Sequence, residues 1–237
     1  MKKLMCAAAA LIAGVAVADV TSANIVGYAN GDLREGNTLA SAQFVTIGGA
    51  EVDLQTVKPI GDDTSDNVFL SVLDEYGFTS EMYTWVNWAG DTYDQEAWID
   101  SSYVIAEKSF PAGQGFWIQG KSGQKIQTAG EVGSSDVIVE LREGNTAVGN
   151  PFPLPVNLQE ILPSGDGISD NVFLSILDEY GFTSEMYTWV DWAGDTFDQE
   201  AWINSSYEIA DVTFPAGQGF WIQGKTGQSI RFVAPEL

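Results

Sequence analysis

Histidine is missing from all 237 residues, and cysteine occurs once, as Cys6. Cations are scarce: ten Lys and Arg stand against 33 Asp and Glu, a formal net charge of −23. Each shortage removes a class of chemistry. Without His there is no imidazole ligand for a metal and no imidazole base to activate a Ser or Cys. With one Cys there is no intramolecular disulfide, so stability must come from apolar burial. The acidic balance repels nucleic acid and anionic lipid headgroups. Phosphate-binding glycine loops, nucleophile elbows and zinc motifs are absent as well.

Long apolar runs are also wanting, except at the N-terminus. "MKKLMCAAAALIAGVAVADV" has a basic start at Lys2 and Lys3, an apolar stretch from Leu4 to Val17, and a small-x-small site at Ala16-Val17-Ala18. This pattern predicts a signal peptide over residues 1–18 and a mature chain beginning at Asp19. The stretch is too short and too Ala-rich for a good membrane span. Cys6 lies too early for a lipoprotein site. Export therefore predicts an extracellular, cell-surface or periplasmic protein, without a membrane span in the mature chain. Losing Lys2 and Lys3 leaves a net charge of −25.

What the chain does have is repetition. "FPAGQGFWIQGK" stands at 110–121 and again at 214–225. "LREGNT" at 33–38 recurs at 141–146, an offset of 108, and from Val52 onward the offset is 104. Asp66–Gly120 matches Asp170–Gly224 at 47 of 55 positions. Units of about a hundred residues are domains with their own cores, longer than solenoid repeats. We expect domain 1 at 19–131 and domain 2 at 132–237, with the boundary in "TAGEVGSSD", 128–136.

Within a unit the pattern is β. "NVFLSVLD" (67–74), the turn "EYGF" and "TSEMYTWVNW" (79–88) predict an antiparallel hairpin. "SSYVIAE" (101–107) and "GFWIQG" (115–120) read as further strands, and "KIQTA" (125–129), with "SIRFVA" (229–234) in the second copy, as a closing one. One short helix is predicted at "VDLQTVKP" and "VNLQEILP", capped by Asp53 or Asn157, with Leu54/Val57 and Leu158/Ile161 three apart. The expected fold class is all-β and mainly antiparallel: two tandem homologous β-sandwich-like or small-barrel domains, each with one short helix.

Strand alternation then raises a question of surface. If Phe116 and Ile118 enter a core, Trp117 and Gln119 look the other way; "EMYTWVN" likewise separates Met82, Thr84 and Val86 from Tyr83 and Trp85. Both strand faces carry bulky groups, so the second face needs a cover. Three readings stay open. The unit's own "WAGDTYDQEAW" loop covers it; or it is an interface to the other domain or another copy; or it is a platform for stacking sugar rings. The candidate residues are Tyr83, Trp85, Trp117 and Gln119, with Tyr187, Trp189, Trp221 and Gln223.

Carboxylates supply the remaining chemistry. Asp62 and Asp66, Asp91 and Asp94, and their counterparts Asp166, Asp170, Asp195 and Asp198 are candidate Ca²⁺ ligands, although no EF-hand spacing is present. Glu81, Asp91, Asp94 and Glu96 recur as Glu185, Asp195, Asp198 and Glu200. Glycoside hydrolysis needs only two carboxyl groups, but two small duplicate domains without a larger cleft-forming region argue against catalysis.

"SANIVGY" (22–28), "DNVFLSVLDEYG…YTW" and "PAGQGFWIQ" resemble a group of exported β-rich bacterial proteins of verrucomicrobial and lentisphaeral type. There an "NIVGY"-like stretch precedes one or two domains ending in a "P-x-G-Q-G-F-W" turn and strand. The resemblance implies export and a β fold, and brings no activity and no catalytic residue. The expected function is that of a non-enzymatic structural or interaction protein of the envelope or extracellular space, using its aromatic faces for self-association or domain packing. The alternatives are a tandem carbohydrate-binding protein stacking sugars on Trp117 and Trp221, and a calcium-stabilised adhesin.

Overall fold

The computed structural model describes residues 26–45, 51–74, 76–88, 95–178, 180–192 and 200–235; the expected leader at 1–18 lies outside them. In chain order the first unit contains β1 (Val26–Asp32), β2 (Gly36–Ser41), β3 (Glu51–Asp53), β4 (Val57–Ile60), β5 (Phe69–Leu73), β6 (Thr79–Asn87), β7 (Glu96–Ile99), β8 (Ser109–Pro111), β9 (Gly115–Gly120) and β10 (Lys125–Glu131). The second repeats them as β11 (Val137–Glu140), β12 (Gly144–Gly149), β13 (Val156–Asn157), β14 (Ile161–Ser164), β15 (Phe173–Leu177), β16 (Thr183–Asp191), β17 (Glu200–Ile203), β18 (Thr213–Phe214), β19 (Gly219–Gly224) and β20 (Ser229–Phe232). Pairing between named strands is antiparallel throughout. The fold is all-β, as the sequence predicts.

Each unit is built from a five-stranded sheet, β2-β9-β5-β6-β7 or β12-β19-β15-β16-β17. A three-stranded sheet (β1-β10-β4 or β11-β20-β14) and a two-stranded ribbon (β3-β8 or β13-β18) complete it. In the first unit Leu70, Tyr83, Trp85, Trp98, Phe116 and Ile118 of the large sheet share one core with Val57 and Ile126 of the small one. The second core repeats this with Leu174, Tyr187, Trp189, Trp202, Phe220 and Ile222 against Ile161 and Ile230. Trp85 meets Trp98 edge-on at 5.5 Å, and Trp189 meets Trp202 at 5.6 Å, a favourable geometry for two indoles. The inner indole N–H of Trp98 donates to the Val57 carbonyl, and that of Trp202 to Ile161 at 2.6 Å. Those of Trp85 and Trp189 are buried and find no acceptor among the described residues.

Two local expectations are sharpened and one, the strand at 101–107, needs correction. The short helix is a single 3₁₀ turn, Leu54–Thr56 and Leu158–Glu160, capped as predicted by Asp53 and Asn157. The spacing of three between Leu54 and Val57 suits a turn in which i and i+3 eclipse, and Val57 then leaves to pair with β10. "SSYVIAE" is mostly turn, with Ile105 bridging Ile99. Asp100 Oδ1 accepts from the Ser102 and Val104 amides at 2.8 and 3.2 Å, which curls the chain instead of extending it. Lastly, Thr128–Glu131 belong to β10, paired with Val26–Ala29 of β1, so the linker narrows to residues 132–136.

Candidate functional site

Register divides the predicted aromatic set in two. Leu70 faces both Ile118 and Tyr83, so those three share a face; Ser71 faces both Trp117 and Met82, so those share the other. Tyr83 and Trp85 therefore point into the domain core with Phe116 and Ile118, as do Tyr187 and Trp189 in the second copy. They are no part of an outer platform. The pleat sends every second residue inward, and Tyr83 and Trp85 are in phase with Leu70 while Trp117 is not. Trp117 and Trp221 lie on the outer face; Gln119 and Gln223 share it and are exposed.

That outer face meets its counterpart. Trp117 and Trp221 join Leu39, Leu73, Ala147 and Leu177 in a third apolar cluster, drawn from both domains. The contacts are reciprocal. Each indole lies against the tip of the other domain's long hairpin: a Cβ built on Gly77 would sit 3.5 Å from Trp221 Cζ2, and one on Gly181 3.7 Å from Trp117 Cζ2. Arg34 donates Nε to Asn37 O at 2.9 Å and Nη2 across the interface to Leu177 O at 3.1 Å. Arg142 does the same to Asn145 O and Leu73 O, at 2.9 and 3.1 Å. Two backbone bonds complete the pattern: Ser41 N to Gly217 O at 2.9 Å, and Gly149 N to Gly113 O at 3.0 Å. Contacts of i with j′ and j with i′ define an approximate twofold axis between the domains.

The repeated "PAGQGFW" now has a reason. Gly115 and Gly219 begin β9 and β19 directly against the opposing edge strand. A Cβ at Gly115 would come within 2.8 Å of Val148 N, and one at Gly219 within 2.7 Å of the Leu39 carbonyl carbon. No side chain fits there. Each copy keeps the motif because each supplies the same close surface to the other.

Hydrogen bonds brace the described part of each hairpin tip. Asp74 Oδ1 accepts from the amides of Tyr76 and Phe78 at 2.9 and 2.8 Å, and Asp178 Oδ1 from Tyr180 and Phe182 at 2.9 Å each. Gly77 and Gly181, both at φ 86°, take a left-handed conformation that closes the turn. Tyr76 and Tyr180 are thereby held outward, 75 % and 77 % exposed. They flank a cleft of about 570 Å³ straddling the twofold axis, with Trp117, Trp221, Leu73 and Leu177 among its lining. Tyr76, Tyr180, Arg34 and Arg142 were not singled out from sequence. The recurrence of "DEYGF" and "LREGNT" was their signal.

The carboxylates divide differently. Glu81 accepts from Lys108 Nζ at 2.8 Å and from the Tyr83 hydroxyl. The ammonium, then the phenol, hold Glu81 below its ordinary range. Burial, and then the bond to Glu81, push Tyr83 up; the same causes acting through Glu185 push Tyr187 up to about 12. Asp66 accepts from Ser65 and from the Trp88 indole, and Asp170 from Ser169 and Trp192. The side chains of Asp66 and Asp170 thus brace their own turns, and Asp62 and Asp166 accept through backbone carbonyls from Gln124 and Gln228. Asp91, Asp94, Asp195 and Asp198 lie outside the described residues. Among the described residues no three His, Cys, Asp or Glu gather into a metal-sized cluster.

Compared with family models, with curated proteins and with solved structures, the chain finds no match in any of the three. Among the described residues no helix is long and apolar enough to cross a membrane.

Proposed function

We propose that this is an exported, non-enzymatic structural and interaction protein of the cell envelope or extracellular space, whose outer aromatic faces pack its own two domains into one body. One observation carries the reading: Trp117 and Trp221 each rest on the other domain's hairpin tip, joined by the reciprocal arginine bonds. A duplicated surface that the chain applies to itself leaves no such face for a second copy. The leader, the acidity and the resemblance to exported β-rich proteins support export.

The test is solution shape. In the mature chain, Trp117→Ala combined with Trp221→Ala should leave far-UV circular dichroism unchanged. It should raise the radius of gyration in X-ray scattering and speed proteolysis within residues 132–136. A double variant that scatters and resists protease like its parent would overturn the packing role. So would a parent that multimerises through these two tryptophans. A second reading, carbohydrate binding, is favoured by the cleft on the twofold axis and is developed next.

A further inference from the structure

The geometry points to the cleft between the domains as a single binding site for a neutral oligosaccharide, one per chain; it rests on the domain packing proposed above. In a protein of net charge −23, none of the described residues lining this cleft is charged. Among the described lining residues a cation meets no carboxylate and an anion no counter-charge, an arrangement that suits a neutral ligand.

The lining that remains is of two kinds. Tyr76 and Tyr180 stand exposed on braced turns, so flat aromatic surface is offered from both sides of the axis, with the half-buried Trp117 and the buried Trp221 closing the cleft behind them. Between them lie amides and hydroxyls, those of Asn37, Asn145, Gln119, Thr79 and Thr183. Rings with an apolar C–H face and a hydroxyl rim complement both kinds at once. A peptide would be served less well. Strand β9 lies between β2 and β5, and β19 between β12 and β15, so neither tryptophan strand presents a free edge for backbone pairing. The volume, about 570 Å³, suits a short segment of chain and falls in the range of small-molecule sites, about 300–1,000 Å³.

Symmetry makes the claim specific. Independent sites on Trp117 and Trp221 would bind two ligands per protein. A cleft that straddles the axis binds one, touching Tyr76 at one end and Tyr180 at the other.

The experiment is isothermal titration of the mature chain with cellohexaose, xylohexaose, mannohexaose, laminarihexaose and chitohexaose, with hexagalacturonate as the acidic control. At least one neutral probe should bind at one site per chain, and hexagalacturonate should not. Tyr76→Ala and Tyr180→Ala should each weaken binding about tenfold, the scale of one lost aromatic contact, with the melting temperature unmoved because both rings are exposed. Two sites per chain would overturn the proposal, as would tyrosine variants binding like the parent, or tight binding of the acidic probe. Silence across the neutral panel, with scattering still reporting packed domains, overturns the site and leaves the packing intact. An open solution shape overturns both.

Discussion

Lys108 of the first domain reaches Glu81 at 2.8 Å, whereas position 212 of the second is Val and Glu185 keeps its tyrosine. Asp63, at φ 57°, pairs with Lys121 at 2.8 Å; its counterpart is Gly167, at φ 64°. β1 pairs with its neighbour over seven residues and β11 over four. At the mutual face the main contacts repeat even where the sequence differs, as at Leu39 and its counterpart Ala147. The two arginines cross at the same 3.1 Å, a Cβ built on either glycine would stand 2.8 or 2.7 Å from the opposing backbone, and the two tips repeat the same Asp-capped turn. Two copies in one chain are an internal control. The arginine bonds, the glycine approaches and the capped tips have stayed equal, and these are what each copy does for the other.

Three perturbations test that contrast. The largest effect is expected at the glycines. Gly115→Ala and Gly219→Ala should each destabilise the chain by about 1–3 kcal/mol in urea unfolding, since a methyl there meets the opposing backbone. Gly133→Ala in the linker, with nothing within 4 Å, should change little. Unequal costs at 115 and 219 would break the equivalence of the two faces. Next come the tryptophan pairs. Trp98→Phe should cost about 1–2 kcal/mol more than Trp85→Phe, because the first strands the Val57 carbonyl and the second removes a donor with no acceptor among the described residues. The same inequality should hold between Trp202 and Trp189.

The smallest effect is at Lys108. The folded-state value of Glu81 is depressed, so its contribution is present above the ordinary 4.5 and is lost as pH falls below that, through the folded value. Lys108→Val should shrink this acid-dependent loss and make the first domain behave like the second. The pair is exposed, so the change should stay below about 0.5 kcal/mol, readable as a smaller drop in melting temperature from pH 6 to pH 3. An unchanged acid profile would mean that the ion pair contributes nothing.

Periodicity of two was enough to predict the β class, the hairpin and the split between Phe116 and Trp117, because burial enforces alternation wherever one face is core. It could not say which outward residues are covered. Trp117 and Tyr83 look alike in sequence; only the neighbour strand, through Ser71 and Leu70, assigns them to opposite sides. "SSYVIAE" misled because an Asp100 turn overrides the β preference of Val104 and Ile105. The cleft was hidden for a different reason. It exists only where two copies meet, and Tyr76 and Tyr180 approach it from positions 104 apart.

Reciprocal seating of nearly identical halves has one further consequence. A socket shaped for a sister domain fits equally well the same domain of a neighbouring molecule, so shape alone does not tell self from stranger. What favours the partner on the same thread is the five-residue tether at 132–136, which keeps that partner at high local concentration. Shortening this tether until it cannot span the native seat, while refolding at high protein concentration, should yield exchanged pairs.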